Sequence, residues 1–292
     1  MQRKEERAAY SFLAISLIGT IVFVVVPIIM TLLLGFSEWD PMQGIAGIKS
    51  VGIDNFARML GDDRIKAAVR NNLVYTLSYV PLTISIALLL ANILNKYVFM
   101  KIPIRMMIFM PYISSMVSVA TVWMVLLYPY NGPFNSFLTG VLGIQNPPDW
   151  FLSTEWALPG IILMTVWHDV GYYVIIILAN MQGLSKEVYE SASVDGANAI
   201  QSLFRITVPM LAPSLFFCIT LATINSFKIF DQINIITEGG PGFATTVLVQ
   251  TIYYYAFKEF DFGYAAAAAI LLFLIIFIFT RVIQRIEDRF TY

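Results

Sequence analysis

Ala8–Ser37 reads AAYSFLAISLIGTIVFVVVPIIMTLLLGFS, 30 consecutive residues without an Asp, Glu, Lys or Arg. A hydrocarbon layer ~30 Å thick is crossed by about 20 helical residues, so this run is long enough to span a membrane once. It exceeds the roughly 7–15 apolar residues of a cleavable signal peptide, and it reads as an uncleaved first span.

Five further runs follow. Asn71–Asn95 holds 25 uncharged residues, and Met106–Pro148 holds 43, interrupted by the turn-rich Tyr128-Pro-Tyr-Asn-Gly-Pro133. Trp156–Ser185 is broken only by Asp169, while Ile206–Phe227 holds 22 and Phe262–Thr280 holds 19. The pattern predicts an all-α, polytopic membrane protein with six transmembrane helices, near 10–36, 71–94, 105–127, 156–180, 207–228 and 262–281. The whole chain, 1–292, is expected to form a single transmembrane domain. Gly239–Phe257 is also uncharged, but its Gly239-Gly-Pro-Gly242, Thr245, Thr246 and Gln250 suit a loop followed by a short interfacial helix.

Composition agrees with the runs. Apolar residues make up 58% and charged residues 13%, against roughly 45–50% and ~25% in soluble domains. A net charge of −1 gives no basic field for nucleic acid. The lone Cys218 excludes an internal disulfide, and the lone His168 removes most zinc sites. No GxxxxGK[ST] phosphate loop occurs, so this chain is not expected to hydrolyse ATP itself.

Six spans put both termini on one side. With the termini inside, the inner segments carry 11 Lys/Arg in 59 residues and the outer ones 7 in 98, which favours cytoplasmic termini. The counterweight is five basic residues in the first outer loop, where Glu38, Asp40, Asp54, Asp62 and Asp63 accompany them. Prolines recur in or beside the spans, at Pro27, Pro81, Pro111, Pro159, Pro209 and Pro213. Membrane helices tolerate proline because neighbours re-satisfy the freed carbonyls. Hinges for a conformational cycle are the other reading.

Between spans four and five lies a polar stretch, residues 184–209. Leu184, Val188 and Ala192 fall at i, i+4, i+8 and give a short helix one apolar edge. Gly196 then stops that helix, and a second runs from about Ala197 into Pro209. Glu190-Ser-Ala192, three residues, Gly196, nine residues and Ile206-Thr-Val-Pro209 resemble the EAA loop of ABC-importer permeases, EAA-x3-G-x9-I-x-L-P. Ser191 and Val208 depart from that pattern, each by a small or apolar replacement.

Other stretches resemble the binding-protein-dependent sugar permeases, in particular the first permease of maltose- and glycerol-phosphate-type systems. They are Val51-Gly-Ile-Asp-Asn-Phe56, Phe109-Met-Pro111, Asn131-Gly-Pro-Phe-Asn135, Val194-Asp-Gly-Ala197, Thr237-Glu-Gly-Gly-Pro241 and Gly263-Tyr-Ala-Ala-Ala267. The resemblance implies one half of a heterodimeric pore with a second homologous permease, a cytoplasmic ABC ATPase dimer and an extracytoplasmic solute-binding protein as partners. It implies a bacterial or archaeal cytoplasmic membrane, no cofactor in this chain, and ATP and Mg bound by the partner ATPase. Glu190, Ser191, Ala192, Asp195 and Gly196 would contact that ATPase and pass its closure to the spans.

Span four contains Trp167-His-Asp-Val-Gly-Tyr172. Asp169 stands ten residues after Pro159, about 15 Å along a helix and near mid-bilayer. A carboxylate there costs ~2.5–3.5 kcal/mol on insertion scales and should face protein or water. Thr165, His168, Asp169 and Tyr172 fall at i, i+3, i+4, i+7 and form one polar stripe. Span five adds Asn225 and Ser226, with Lys228 as an interfacial anchor.

The stripe reads as an interhelical hydrogen-bond cluster or as the lining of a transport cavity, with a proton relay as a third reading. The family resemblance, in which helices flanking the loop line the cavity, selects Thr165, His168, Asp169, Tyr172, Asn225 and Ser226 as candidate substrate-binding residues. Asp169 further suggests a substrate carrying a cationic group. A polyol phosphate in place of a sugar stays open, as does a secondary transporter. An intramembrane hydrolase built on His168 and Asp169 lacks a Gly-x-Ser-x-Gly elbow, and no catalytic residue is expected.

Overall fold

The computed structural model describes residues 13–39, 41, 44, 47–50, 52–96 and 101–291. Residues 10–12 of the expected first span, the basic N-terminal segment and Val51 fall outside them. Among the described residues, five helices are long and apolar enough to cross a membrane: Leu13–Gly35, Asp63–Asn95, Ala157–Gln182, Ala212–Ile236 and Phe262–Phe290. The sixth expected span is a pair, Pro103–Ile113 and Met116–Leu126, bent by 95° at its break.

That break is where the structure departs most from the run-length reading, which has span three as one helix over 105–127. Ser114 and Ser115 separate the two halves, three residues after Pro111, and Ser115 adopts an extended ψ of 130°. Proline and small polar pairs are the usual causes of sharp kinks. Span five also differs. Its continuous helix, Ala212–Phe227, ends at an exposed C-cap, Lys228, and a separate short helix, Asp231–Ile236, follows.

Two prolines share one local solution. A π-helical turn, Ile21–Val25, precedes Pro27 by two residues, and another, Leu203–Thr207, precedes Pro209 in the same register. The extra residue in each turn lets the helix go on past a ring that would strike the carbonyl four residues back. Pro159 and Pro213 fall in the first turns of their helices, where no backbone bond is lost.

The chain divides into two compact units. The first gathers residues up to Ile65 with Thr251–Phe273. Here a two-stranded antiparallel ribbon pairs Ser37–Trp39 with Ile48–Ser50. Asn55 donates to the carbonyls of Gly35 (3.1 Å) and Ser37 (3.0 Å) and so ties down the end of span one. Gly35 leaves room for Ala267 and Ile270 of span six, an approach that small residues allow between membrane helices.

Asp62 caps span two in this unit. Its Oδ1 accepts from the backbone N–H of Arg64 (2.8 Å) and Ile65 (3.3 Å), and its Oδ2 from the hydroxyls of Tyr255 (2.6 Å) and Tyr264 (2.7 Å). Burial pushes this carboxyl up, but the two tyrosine and two backbone donors outweigh it and hold the group below the usual carboxylate range.

The second unit comprises Lys66–Gln250 and Leu274 onward, and holds both candidate sites. Span four is its most buried helix. The backbone of Ile108 and Phe109 runs so close to Gly171 that a Cβ there would collide with the Ile108 carbonyl oxygen. The Thr237–Val247 loop docks on the start of span two. Asn71 donates to the carbonyls of Phe243 (2.8 Å) and Thr246 (2.9 Å), and Asn72 accepts from the N–H of Leu248 (2.8 Å). A short helix, Leu248–Phe257, follows, and Thr245, Thr246 and Gln250 are buried in protein.

Candidate functional site

The loop between spans four and five folds as a capped elbow. Ser185 accepts from the N–H of Glu187 and starts a nine-residue helix, Lys186–Val194, with no buried residue. Gly196 ends it at φ +78°, a left-handed conformation in which a side chain costs ~1–2 kcal/mol. The N–H of Gly196 donates to Ser193 O (3.1 Å) and that of Ala197 to Ala192 O (2.9 Å). This pair of bonds is the Schellman closure, which satisfies carbonyls otherwise orphaned at the helix end.

Asn198 and Gln201 then exchange side-chain-to-backbone bonds in a capping box that opens the second arm. That arm, Ala199–Ser202, passes through the π-helical turn and Val208–Met210 into span five. Glu190, Ser191, Ala192, Asp195 and Gly196 thus occupy one arm and its cap. Val194 (88%) and Phe204 (61%) are highly exposed for apolar residues, on either side of the Gly196 turn. A cleft of about 470 Å³ opens beneath the first arm, lined by Tyr189, Glu190, Ser193 and Ser202 and by Asn95 at the end of span two.

The membrane stripe is built differently. Thr165 (2% exposed) bonds back to Ile161 O and accepts from Gln232 (3.4 Å), and His168 (5%) is equally buried. The His168 Nδ1 lies 2.6 Å from Asp169 Oδ1, and its Nε2 lies 3.3 Å from the carbonyl of Ser114, at the break in span three. Both ring nitrogens thus face an oxygen of a neighbouring group. The second Asp169 oxygen accepts from the Tyr79 hydroxyl at 2.5 Å. Tyr172 stacks on Tyr112 with ring centroids 4.7 Å apart. Ser226 is buried, donates to Thr223 O (2.7 Å) and so accepts from Thr76 (2.8 Å), while its neighbour Asn225 is exposed.

The family profile described as "Binding-protein-dependent transport system inner membrane component" matches residues 56–292. The chain belongs to that family. This permease is 34% identical over 267 residues to the "Probable ABC transporter permease protein YesP" of Bacillus subtilis (strain 168), covering 90% of this chain and 84% of that one. It is 31% identical to the "Lactose transport system permease protein LacF" of Rhizobium radiobacter, over 83% of this chain and 79% of that one. A solved bacterial alginate ABC transporter, in complex with alginate pentasaccharide-bound periplasmic protein, contains a chain of the same fold. The TM-score is 0.85 at 22% identity, covering 99% of this chain and 96% of the other. The permease is therefore a multi-pass membrane component of an ABC transporter and not an enzyme.

Of the six candidate residues, His168 and Asp169 form one bonded group with Tyr79, and Thr165 pairs separately with Gln232. Ser226 belongs to a neighbouring network through Thr76. Asp169, Tyr172 and Asn225 keep some exposure. Run-length reading missed the partners supplied by span two. There Asn72, Thr76, Tyr79 and Thr83 recur at i, i+4, i+7, i+11 and are all buried, a polar face legible at helical spacing. Ser114 and Tyr112 carry no such signal, because their positions depend on the break.

Proposed function

We propose that this permease is one half of a heterodimeric importer pore that moves a sugar or sugar derivative into the cytoplasm of a bacterial or archaeal cell. The names of the relatives support the substrate class: one transports lactose and a structural neighbour transports alginate. The chain acts as one transmembrane domain with both termini in the cytoplasm. Its partners are a second homologous permease, an ABC ATPase dimer that binds ATP and Mg, and an extracytoplasmic solute-binding protein.

The observation that carries this reading is the capped elbow, with an arm that buries none of its own residues and apolar side chains left exposed beside the Gly196 turn. Glu190, Ser191, Ala192, Asp195 and Gly196 meet the ATPase. When ATP binding closes the ATPase dimer, the elbow moves with it, the second arm transmits the motion through the π-helical turn to span five, and the pore opens outward. Asp169, Tyr172 and Asn225 offer a carboxylate edge, an aromatic face and an amide to the substrate. His168 bonds Asp169, and Thr165 and Ser226 lie buried on the same two spans.

Reconstitution of the chain with its three partners in proteoliposomes tests this. Uptake of a sugar that requires ATP inside the vesicle and binding protein outside is the expected result. Uptake driven by an ion gradient without the ATPase would overturn it.

A further inference from the structure

Tyr189 precedes the Glu190–Gly196 segment by one residue and is only half-buried, yet its hydroxyl lies 3.1 Å from Thr207 Oγ1. Thr207 is almost fully buried, just beyond the second arm, at the end of the π-helical turn. Its hydroxyl also bonds the Ser202 carbonyl at 3.1 Å, five residues back. A threonine hydroxyl has one proton. With that proton given to Ser202 O, Tyr189 is the donor to Thr207. The result is a directed chain, Tyr189 to Thr207 to Ser202 O, which crosses the cleft's wall and links the two arms of the elbow.

This link is independent of the Gly196 turn. The turn fixes how the arms follow one another along the chain, whereas the hydroxyl chain fixes the first arm against the π-helical segment that feeds span five. A hinge with one joint bends freely; a second attachment across its mouth makes the arms move together.

We propose that Tyr189 is a positioning residue for coupling, a strut that carries displacement of the first arm to Thr207 and the π-helical entry of span five. The proposal deepens the coupling reading above and rests on it. In the reconstituted complex, Tyr189→Phe keeps the ring and removes only the donor. The expected result is a fall of about fivefold in substrate transported per ATP hydrolysed, the factor given by one neutral hydrogen bond of ordinary strength. Complex assembly and basal ATP hydrolysis stay unchanged.

Thr207→Val gives the same fall, the double variant falls no further, and Thr207→Ser, which keeps the hydroxyl, retains the wild-type ratio. A merely structural role would lower assembly and both activities together and leave the ratio intact, and that result overturns the strut. So do losses that add in the double variant, or a Tyr189→Phe complex that couples as well as wild type. A wild-type chain that fails to assemble with an ATPase would instead remove the coupling reading itself.

Discussion

Replacing Gly196 by Ala isolates the contribution of one backbone conformation to coupling. At φ +78° the residue sits in the left-handed region, and a Cβ added there would meet no atom within 4 Å. No steric clash with neighbours accompanies the change, so its cost is the intrinsic one, ~1–2 kcal/mol. At 1.4 kcal/mol per factor of ten, the elbow's closed turn becomes about 5- to 30-fold less populated relative to opened forms. The arm that depends on it is nine residues long and has no buried side chain. So short a helix is marginal without its cap.

Hydrogen exchange reads the effect directly, because the N–H groups of Gly196 and Ala197 make the closure. In Gly196→Ala, exchange at positions 196 and 197 should accelerate by that factor, and transport per ATP should drop. Gly196→Asn should sit between Ala and wild type, since Asn tolerates the left-handed region. Equal exchange and transport in the Gly, Ala and Asn forms would refute the argument that this turn needs a left-handed residue.

Three further outcomes follow from the geometry. Gly171→Ala drives a methyl into the Ile108 carbonyl and within 3.0 Å of Phe109 Cα; overpacking should cost ~1–3 kcal/mol in detergent unfolding, and unchanged stability would mean that the two backbones separate freely. Asp169→Asn should impair uptake of a cationic solute more than that of a neutral one, because Tyr79 and His168 each take one lone pair of a carboxylate that keeps some exposure; an equal loss for both would refute charge pairing. Asp62 is held below its ordinary pKa when folded, so its stabilisation is complete above the unfolded value, ~3.9, and is lost as pH falls through the folded one. The wild-type melting temperature should therefore drop below about pH 4, whereas Asp62→Asn should start lower at pH 7 and lose less on acidification.

Uncharged runs report length against bilayer thickness, and this made the spans legible. They do not report direction. Ser114 and Ser115 add no charge to span three, so a 95° turn within it leaves the run length unchanged. The elbow was legible because Gly196 carries a conformational requirement that few other residues meet. The network around Asp169 was half legible. The stripe on span four follows from helical spacing, but Tyr79 lies 90 positions earlier and counts as apolar in a hydropathy scan. Its role depends on which faces of two spans meet, which no single run of sequence reports.

Contact between the exposed arm of the elbow and an ATPase is directly measurable. A Glu190→Cys variant, with the native Cys218 buried in the unmodified chain, can be treated with a short thiol-to-amine cross-linker in the assembled transporter. A covalent adduct with the ATPase is expected, and its formation should block transport while ATP hydrolysis persists uncoupled. An assembled, transporting complex that yields no adduct with the ATPase from position 190 would contradict it.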